Sequence, residues 1–223
     1  MTKWIGWGRN QAWLLLTLTM LMWAGNSVAG RAIAGQMSPM TVVALRWLVV
    51  CGILWAMLKD DLAAQRAALV RHRRQIVLMG LFGFTGFNAL FYVAAYHTTA
   101  INLTLLQSSI PAFVLAGSAL CFGTRIGTVQ LAGLAMTLAG VGLVAARGDF
   151  RLIAEMAFNS GDLLILLACL FYAGYTLALR KRPVMPALVF FAAMAVVAFL
   201  SSLPLLALEA ASGQTYWPSL QGW

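Results

Sequence analysis

The chain has 223 residues, of which 62% are hydrophobic and only 9% are charged, against about 25% charged residues in a soluble domain. Because so few charges cannot cover a water-soluble globule, this composition excludes a soluble protein and predicts one whose surroundings are the lipid bilayer. The net charge of +9 comes from Lys and Arg residues between apolar runs, where membrane orientation explains them, so no nucleic acid partner is expected.

Seven apolar stretches, each long enough to span a bilayer, predict an all-α integral membrane protein. In chain order they cover residues 11–30, 40–58, 75–96, 100–122, 127–146, 162–179 and 186–208. Turn and charge signals separate them, and the longest such break runs from Lys59 to Arg74. The first stretch has basic residues before it and could alternatively be a signal peptide, but its apolar core is long for one and contains Trp13 and Trp23.

The distribution of Lys and Arg predicts the orientation of these spans. The N-terminal segment and the second, fourth and sixth connections together carry eleven basic residues, whereas the odd-numbered connections carry three. Basic residues are retained on the cytoplasmic side of a membrane, so the N-terminus is predicted to be cytoplasmic.

An internal repeat relates the first and sixth spans at an offset of 149 residues. Trp23-Ala24-Gly25 aligns with Tyr172-Ala173-Gly174 without a gap. Each period contains five spans, an odd number, so the two copies would cross the membrane in opposite directions. Inverted repeats are typical of secondary transporters, which bind their substrate between the copies. We predict a first repeat over 11–146 and a second, incomplete one over 162–223, as part of a ten-span protein.

Six short motifs follow one another in a characteristic order and spacing. They are Trp23-Ala24-Gly25-Asn26, Ser38-Pro39, Leu45-Arg46-Trp47, the segment from Ala100 to Pro111, Gln130-Leu131-Ala132-Gly133 and Gly140-Val141-Gly142. This set resembles the EamA type of the drug/metabolite transporter superfamily over essentially the whole chain. One departure is Phe122-Gly123-Thr124-Arg125, which stands where EamA repeats commonly carry Glu after Leu-Gly.

Within that family the chain is most similar to the aromatic amino-acid exporters of the bacterial inner membrane. The resemblance implies a multi-pass inner-membrane transporter built from two five-span repeats. It also implies export of small amphipathic metabolites, amino acids including aromatic ones, by alternating access. A drug/metabolite facilitator of another substrate is the principal alternative.

Polar and aromatic side chains inside the spans predict the lining of a central cavity, because such groups usually face the protein interior. Their spacing of three and four residues places each set on one helix face. Neutral amides, hydroxyls and rings suit an amphipathic solute with an aromatic body. The alternative is that they only form hydrogen bonds between helices. The candidate substrate-binding residues are Trp23, Asn26, Arg46, Asn88, Tyr92, Gln107, Ser108, Tyr172 and Tyr175.

Three features of the spans each allow two interpretations. Arg46 lies in the second span with no acidic residue in any span interior, so it either attracts a substrate carboxylate or reaches the outer surface or backbone carbonyls. Pro111 is a candidate gating residue, although prolines are common in membrane helices. The glycines of the fifth span make it either scaffold or a face on which a second copy packs as a homodimer.

The sequence favours a carrier over other classes of membrane protein. A membrane-embedded enzyme would need clustered His, Asp, Glu or Cys, whereas three scattered cysteines and two distant histidines predict neither a metal site nor a cofactor. A channel would show rings of charge or a selectivity filter, and neither pattern occurs. Without a carboxylate in a span interior, we expect facilitated movement rather than proton antiport.

Overall fold

The computed structural model describes residues 11–145 and 159–213, and every regular element within these ranges is helical. In chain order the helices are α1 (Ala12–Ala32), α2 (Pro39–Ala64), α3 (Arg66–Arg71), α4 (Arg73–Gly80), α5 (Phe87–His97), α6 (Ala100–Gln107), α7 (Ile110–Phe122), α8 (Thr128–Ala145), α9 (Ser160–Ala178) and α10 (Ala187–Ala211). A π-helical segment, Leu81–Gly86, joins α4 to α5, and a 3-10 turn, Leu179–Lys181, follows α9. The predicted all-α fold is confirmed.

Six helical stretches are long and apolar enough to cross a membrane by length and composition. They are Trp13–Ala32, Pro39–Ala64, Arg73–His97, Ala100–Phe122, Ser160–Lys181 and Ala187–Ala211. These stretches match six of the seven predicted spans. The predicted fifth span, 127–146, is a shorter apolar helix over Thr128–Val144 that packs on α6. The homodimer face expected on that helix stays a prediction.

The break predicted from Lys59 to Arg74 is helical over most of its length, which corrects the sequence interpretation. Helix α2 continues to Ala64, and α3 and α4 follow with single-residue interruptions at Gln65 and His72. The apolar run ends at the charged residues Lys59, Asp60 and Asp61, but Lys, Leu and Ala are good helix formers outside an apolar run as well. An apolar run therefore measures the part of a helix inside the membrane and not the whole helix.

The third span, formed by α4, the π-helical segment and α5, packs against α9 in the opposite direction. At one end the Nε2 atom of Gln75 donates to the carbonyl oxygen of Lys181 at 2.9 Å. At the other end the hydroxyl of Thr98 donates to Oδ1 of Asp162 at 2.6 Å. The start of the third span therefore lies beside the end of the sixth.

Two glycines of the π-helical segment allow these spans to approach closely. A Cβ atom on Gly83 would lie 2.5 Å from Cγ of Tyr175, and one on Gly86 would lie 2.8 Å from Cδ2 of Phe171. Any larger residue would displace these rings, so the approach requires glycine at both positions. A π-helical turn inside a longer helix is uncommon and often accompanies a functional site.

Helices α2 and α10 also run in opposite directions and form a second extended contact. The backbone N–H of Met40, at the start of α2, donates to Oε1 of Glu209, near the end of α10, at 3.2 Å. The buried core lies where the second, third, sixth and seventh spans meet. Its fully buried members include Val43, Phe91 and Ile165.

Candidate functional site

A cavity of about 500 Å³ lies between six spans, the first, second, third, fourth, sixth and seventh. This volume is within the roughly 300–1,000 Å³ range of small-molecule sites. Residues from all six spans line it, so the cavity depends on the tertiary fold and not on one helix. Six of the predicted substrate-binding residues lie in its wall: Trp23, Asn26, Arg46, Asn88, Gln107 and Tyr172.

One part of the wall is a hydrogen-bonded triangle around Arg46. Its Nη1 atom donates to Oδ1 of Asn26 at 2.7 Å and to the hydroxyl oxygen of Tyr92 at 3.1 Å. That hydroxyl in turn donates to Oδ1 of Asn26 at 3.0 Å. Tyr92 is buried behind the wall and holds the other two side chains in place.

The charge of Arg46 is not neutralised within residues 11–145 and 159–213, where no carboxylate forms an ion pair with it. Both hydrogen-bond partners of Arg46 are side chains and not the backbone carbonyls considered in the sequence analysis. Whether Arg46 attracts a substrate carboxylate or reaches the outer surface stays a prediction. Arg46 is exposed and belongs to the cavity lining, and a positive charge at that wall attracts anionic groups.

Two amide side chains present hydrogen-bond acceptors near this charge. Asn88 uses Nδ2 to donate to the carbonyl of Phe84 at 2.7 Å, and Gln107 uses Nε2 to donate to Oγ of Ser27 at 3.2 Å. Within the described ranges, neither amide oxygen accepts a hydrogen bond. The wall therefore combines a cationic donor with neutral acceptors.

The rest of the wall is aromatic. The rings of Trp23 and Tyr172 meet edge to face, with centroids 5.3 Å apart. Trp47 stacks on Phe84 at 4.9 Å and 10°, and Phe87 contacts Tyr172 at 5.1 Å. Such rings form a rigid surface against which another ring can pack.

Four aromatic residues of the wall were missed by the sequence interpretation: Trp47, Phe84, Phe87 and Phe191. The predicted lining rested on polar side chains at helical spacing, and these four residues are largely apolar. A signal was present in part, because Trp47 follows Arg46 directly and Phe84 precedes Asn88 by one helical turn. Trp47 also has an indole N–H that is buried without an acceptor in the described part of the chain.

Two predicted site residues lie away from this cavity. Ser108 donates its hydroxyl to the carbonyl of Leu105, one turn earlier in its own span. Tyr175 lines a separate, smaller cavity of about 290 Å³ between the third and sixth spans. Its ring still contacts those of Phe84 and Tyr172, at 5.3 and 5.5 Å, and so lies behind the aromatic wall.

The fourth span is broken beside the cavity. Helix α6 ends at Gln107 and α7 begins at Ile110, with Pro111 as its second residue. Proline fits the first turn of a helix because the N–H that it lacks would have no partner there. The hydroxyl of Ser109 satisfies the carbonyl of Leu106 at 2.6 Å. The gating role of Pro111 stays a prediction, now placed at a discontinuity next to the cavity.

A buried carboxylate lies outside the cavity, at the start of the sixth span. Asp162 is 2% exposed and accepts hydrogen bonds from Oγ1 of Thr98 at 2.6 Å and from Nδ2 of Asn102 at 3.2 Å. Its other oxygen accepts the backbone N–H of Asn159 at 3.0 Å, which completes a capping box. This cluster ties the link between the third and fourth spans to the sixth.

The packed spans, with a cavity that has a polar and an aromatic part, define a multi-pass helical membrane protein. The EamA-like transporter family matches residues 11–146, more than half of the chain, and the chain belongs to this family. The predicted EamA resemblance is thereby confirmed. Membership of a transporter family also indicates a protein other than an enzyme.

Two curated relatives are also named as transporters. The chain is 24% identical over 147 residues to the uncharacterized transporter YyaM of Bacillus subtilis, covering 66% of this chain and 48% of that protein. It is 29% identical over 168 residues to an uncharacterized transporter of Archaeoglobus fulgidus, covering 73% of this chain and 55% of that protein. The chain thus spans about half the length of the curated relatives it matches.

Proposed function

We propose that the protein acts in the bacterial inner membrane, with a cytoplasmic N-terminus, as an exporter of small amphipathic metabolites. Amino acids, including the aromatic ones, are the substrates that the cavity suits best. The main observation behind this proposal is that one cavity places the guanidinium of Arg46, which has no carboxylate partner among the described residues, beside a wall of aromatic rings.

The chemistry of the wall matches an aromatic amino acid group by group. The guanidinium of Arg46 would pair with the carboxylate, because planar two-point hydrogen bonding suits that geometry. The free amide oxygens of Asn88 and Gln107 would accept from the ammonium group. The rings of Trp23 and Tyr172 would pack against the substrate ring.

We further propose that residues 11–146 and 162–223 are inverted copies that rock about this cavity. Trp23 and Tyr172 are equivalent at the offset of 149 residues, and their rings touch. A residue close to a two-fold axis contacts its own counterpart, so this pair supports an axis through the cavity wall. The equivalent second and seventh spans also pack together in opposite directions, through Met40 and Glu209. Alternating access in inverted-repeat carriers uses such an arrangement.

Transport is proposed to be facilitated and not proton-coupled. Within the described ranges no acidic side chain lines the cavity, and proton-coupled carriers usually place a titratable group in the membrane. Asp162 is buried, but its oxygens already accept hydrogen bonds from Thr98, Asn102 and Asn159. An imposed pH gradient should therefore leave the flux unchanged.

Flux measurements on the complete protein in proteoliposomes test the proposal. Trp23→Ala and Tyr172→Ala should each lower the flux of an aromatic amino acid about tenfold, since aromatic packing contributes roughly 1 kcal/mol beyond the buried area. The matched control is Trp55→Ala, because Trp55 is 64% exposed on α2 and does not line the cavity. Unchanged flux in both cavity variants, with normal protein levels, would contradict the proposed site.

A further inference from the structure

The junction between α3 and α4 forms a basic cavity that the transport proposal does not use. Arg71, His72, Arg73 and Arg74 follow one another and, with two neighbours, line a volume of about 550 Å³. None of the three guanidinium groups forms an ion pair or a hydrogen bond within the described part of the chain. Each arginine carries one positive charge, so the cavity holds about three positive charges without an acidic partner in the described part of the chain.

The start of α4 adds backbone donors to the same cavity. His72 precedes the helix and provides no side-chain cap. The backbone hydrogen bonds of this turn begin with the N–H of Ile76 on the carbonyl of His72. The preceding N–H groups, of Arg73, Arg74 and Gln75, have no acceptor among the described residues. Free N–H groups at a helix N-terminus, where the helix dipole is positive, form a site for an anion such as phosphate.

An apolar cavity continues directly from the basic one. Arg73 and Arg74 also border a volume of about 430 Å³ whose other lining residues are Val77 and Leu78, one helical turn further along α4. Val77 and Leu78 are 40% and 55% exposed. A small hydrophilic anion would leave this apolar volume empty, whereas a hydrocarbon chain would fill it.

We propose that this junction binds an anionic phospholipid. Its phosphate would lie among Arg71, Arg73 and Arg74 at the start of α4, and an acyl chain would run along Val77 and Leu78. Arginine pairs with phosphate oxygens at two points, and basic pockets at the membrane surface attract anionic head groups. This site is separate from the transport cavity, so the lipid proposal does not depend on the proposed substrate.

Native mass spectrometry of the purified complete protein, with phosphatidylglycerol and phosphatidylcholine added in turn, tests the proposal. The triple variant R71Q/R73Q/R74Q should retain phosphatidylglycerol at least about tenfold more weakly, since each basic residue near an anionic surface contributes roughly 1 kcal/mol. The matched control, K59Q/R66Q/R125Q, removes the same charge at exposed positions that line neither cavity and should retain it normally. Equal weakening in both variants, or in neither, overturns a specific site.

A second variant keeps every charge and so leaves the charge signals for membrane insertion intact. Val77→Gln should weaken phosphatidylglycerol binding several-fold, because it places a polar group in the path of the acyl chain. Inorganic phosphate should bind far more weakly than the lipid to the unaltered chain. Phosphate binding as tight as that of the lipid, or lipid binding insensitive to Val77→Gln, would overturn the lipid assignment.

Discussion

Arg46→Met is expected to lower the flux of an aromatic amino acid by about tenfold to a hundredfold in proteoliposomes of the complete protein. A hydrogen bond to a charged group contributes roughly 1.5–3 kcal/mol, and this change removes the cation proposed to hold the carboxylate. The flux of the corresponding amine, which has no carboxylate, should not fall. The bond between Tyr92 and Asn26 remains, so the local structure persists.

Arg31→Met is the matched control for this change. Arg31 lies near the end of the first span, donates Nη1 to the carbonyl of Ala95 at 2.9 Å and does not line the cavity. Its replacement should change amino-acid flux by less than about twofold, as expected for a residue outside the site. If Arg46→Met slowed the amine as strongly as the amino acid, carboxylate recognition by Arg46 would be wrong.

Asp162→Ala is expected to destabilise the fold by about 3 kcal/mol or more. The change removes the acceptor of three donor groups at a site that is 2% exposed, and leaves the hydroxyl of Thr98, the amide of Asn102 and the N–H of Asn159 without that acceptor. Each buried group left without a partner costs roughly 1–3 kcal/mol. Thermal unfolding in detergent, followed by the helical circular dichroism signal, should show a clearly lower midpoint.

Two further variants define the cause of that loss. Asp61→Ala removes an exposed carboxylate on α2 and should leave the unfolding midpoint nearly unchanged. Asp162→Asn preserves the size of the side chain but replaces one acceptor with a donor, so its stability should lie between the other two. Equal midpoints for Asp162→Ala and Asp61→Ala would show that the buried cluster does not hold the spans together.

The spans could be predicted because a bilayer imposes a length and an apolar composition on any helix that crosses it. The helical continuation of α2 to Ala64 could not be predicted in this way, because it lies beyond the long apolar run and contains charged residues. The same limit applies to α3, whose six residues contain two arginines. Patterns report the environment of a segment more directly than its backbone conformation.

Part of the cavity wall could be predicted for a related reason. Asn26 and Asn88 are costly in lipid, so their presence within spans already indicates an interior position. Phe84 is equally at home in lipid or in the core, and only the fold brings it against Trp47. The burial of Asp162 likewise could not be predicted, because its partner Thr98 lies 64 residues away in the sequence.

Labelling of single cysteines with a membrane-impermeant maleimide tests most directly whether the first and sixth spans cross in opposite directions. Ala34→Cys follows the first span, while Ser160→Cys and Arg182→Cys lie at the start and just beyond the end of the sixth, each in a chain without its native cysteines. The inverted arrangement predicts that positions 34 and 160 react from one side of the membrane and position 182 from the other. Reaction of positions 34 and 182 from the same side would contradict it.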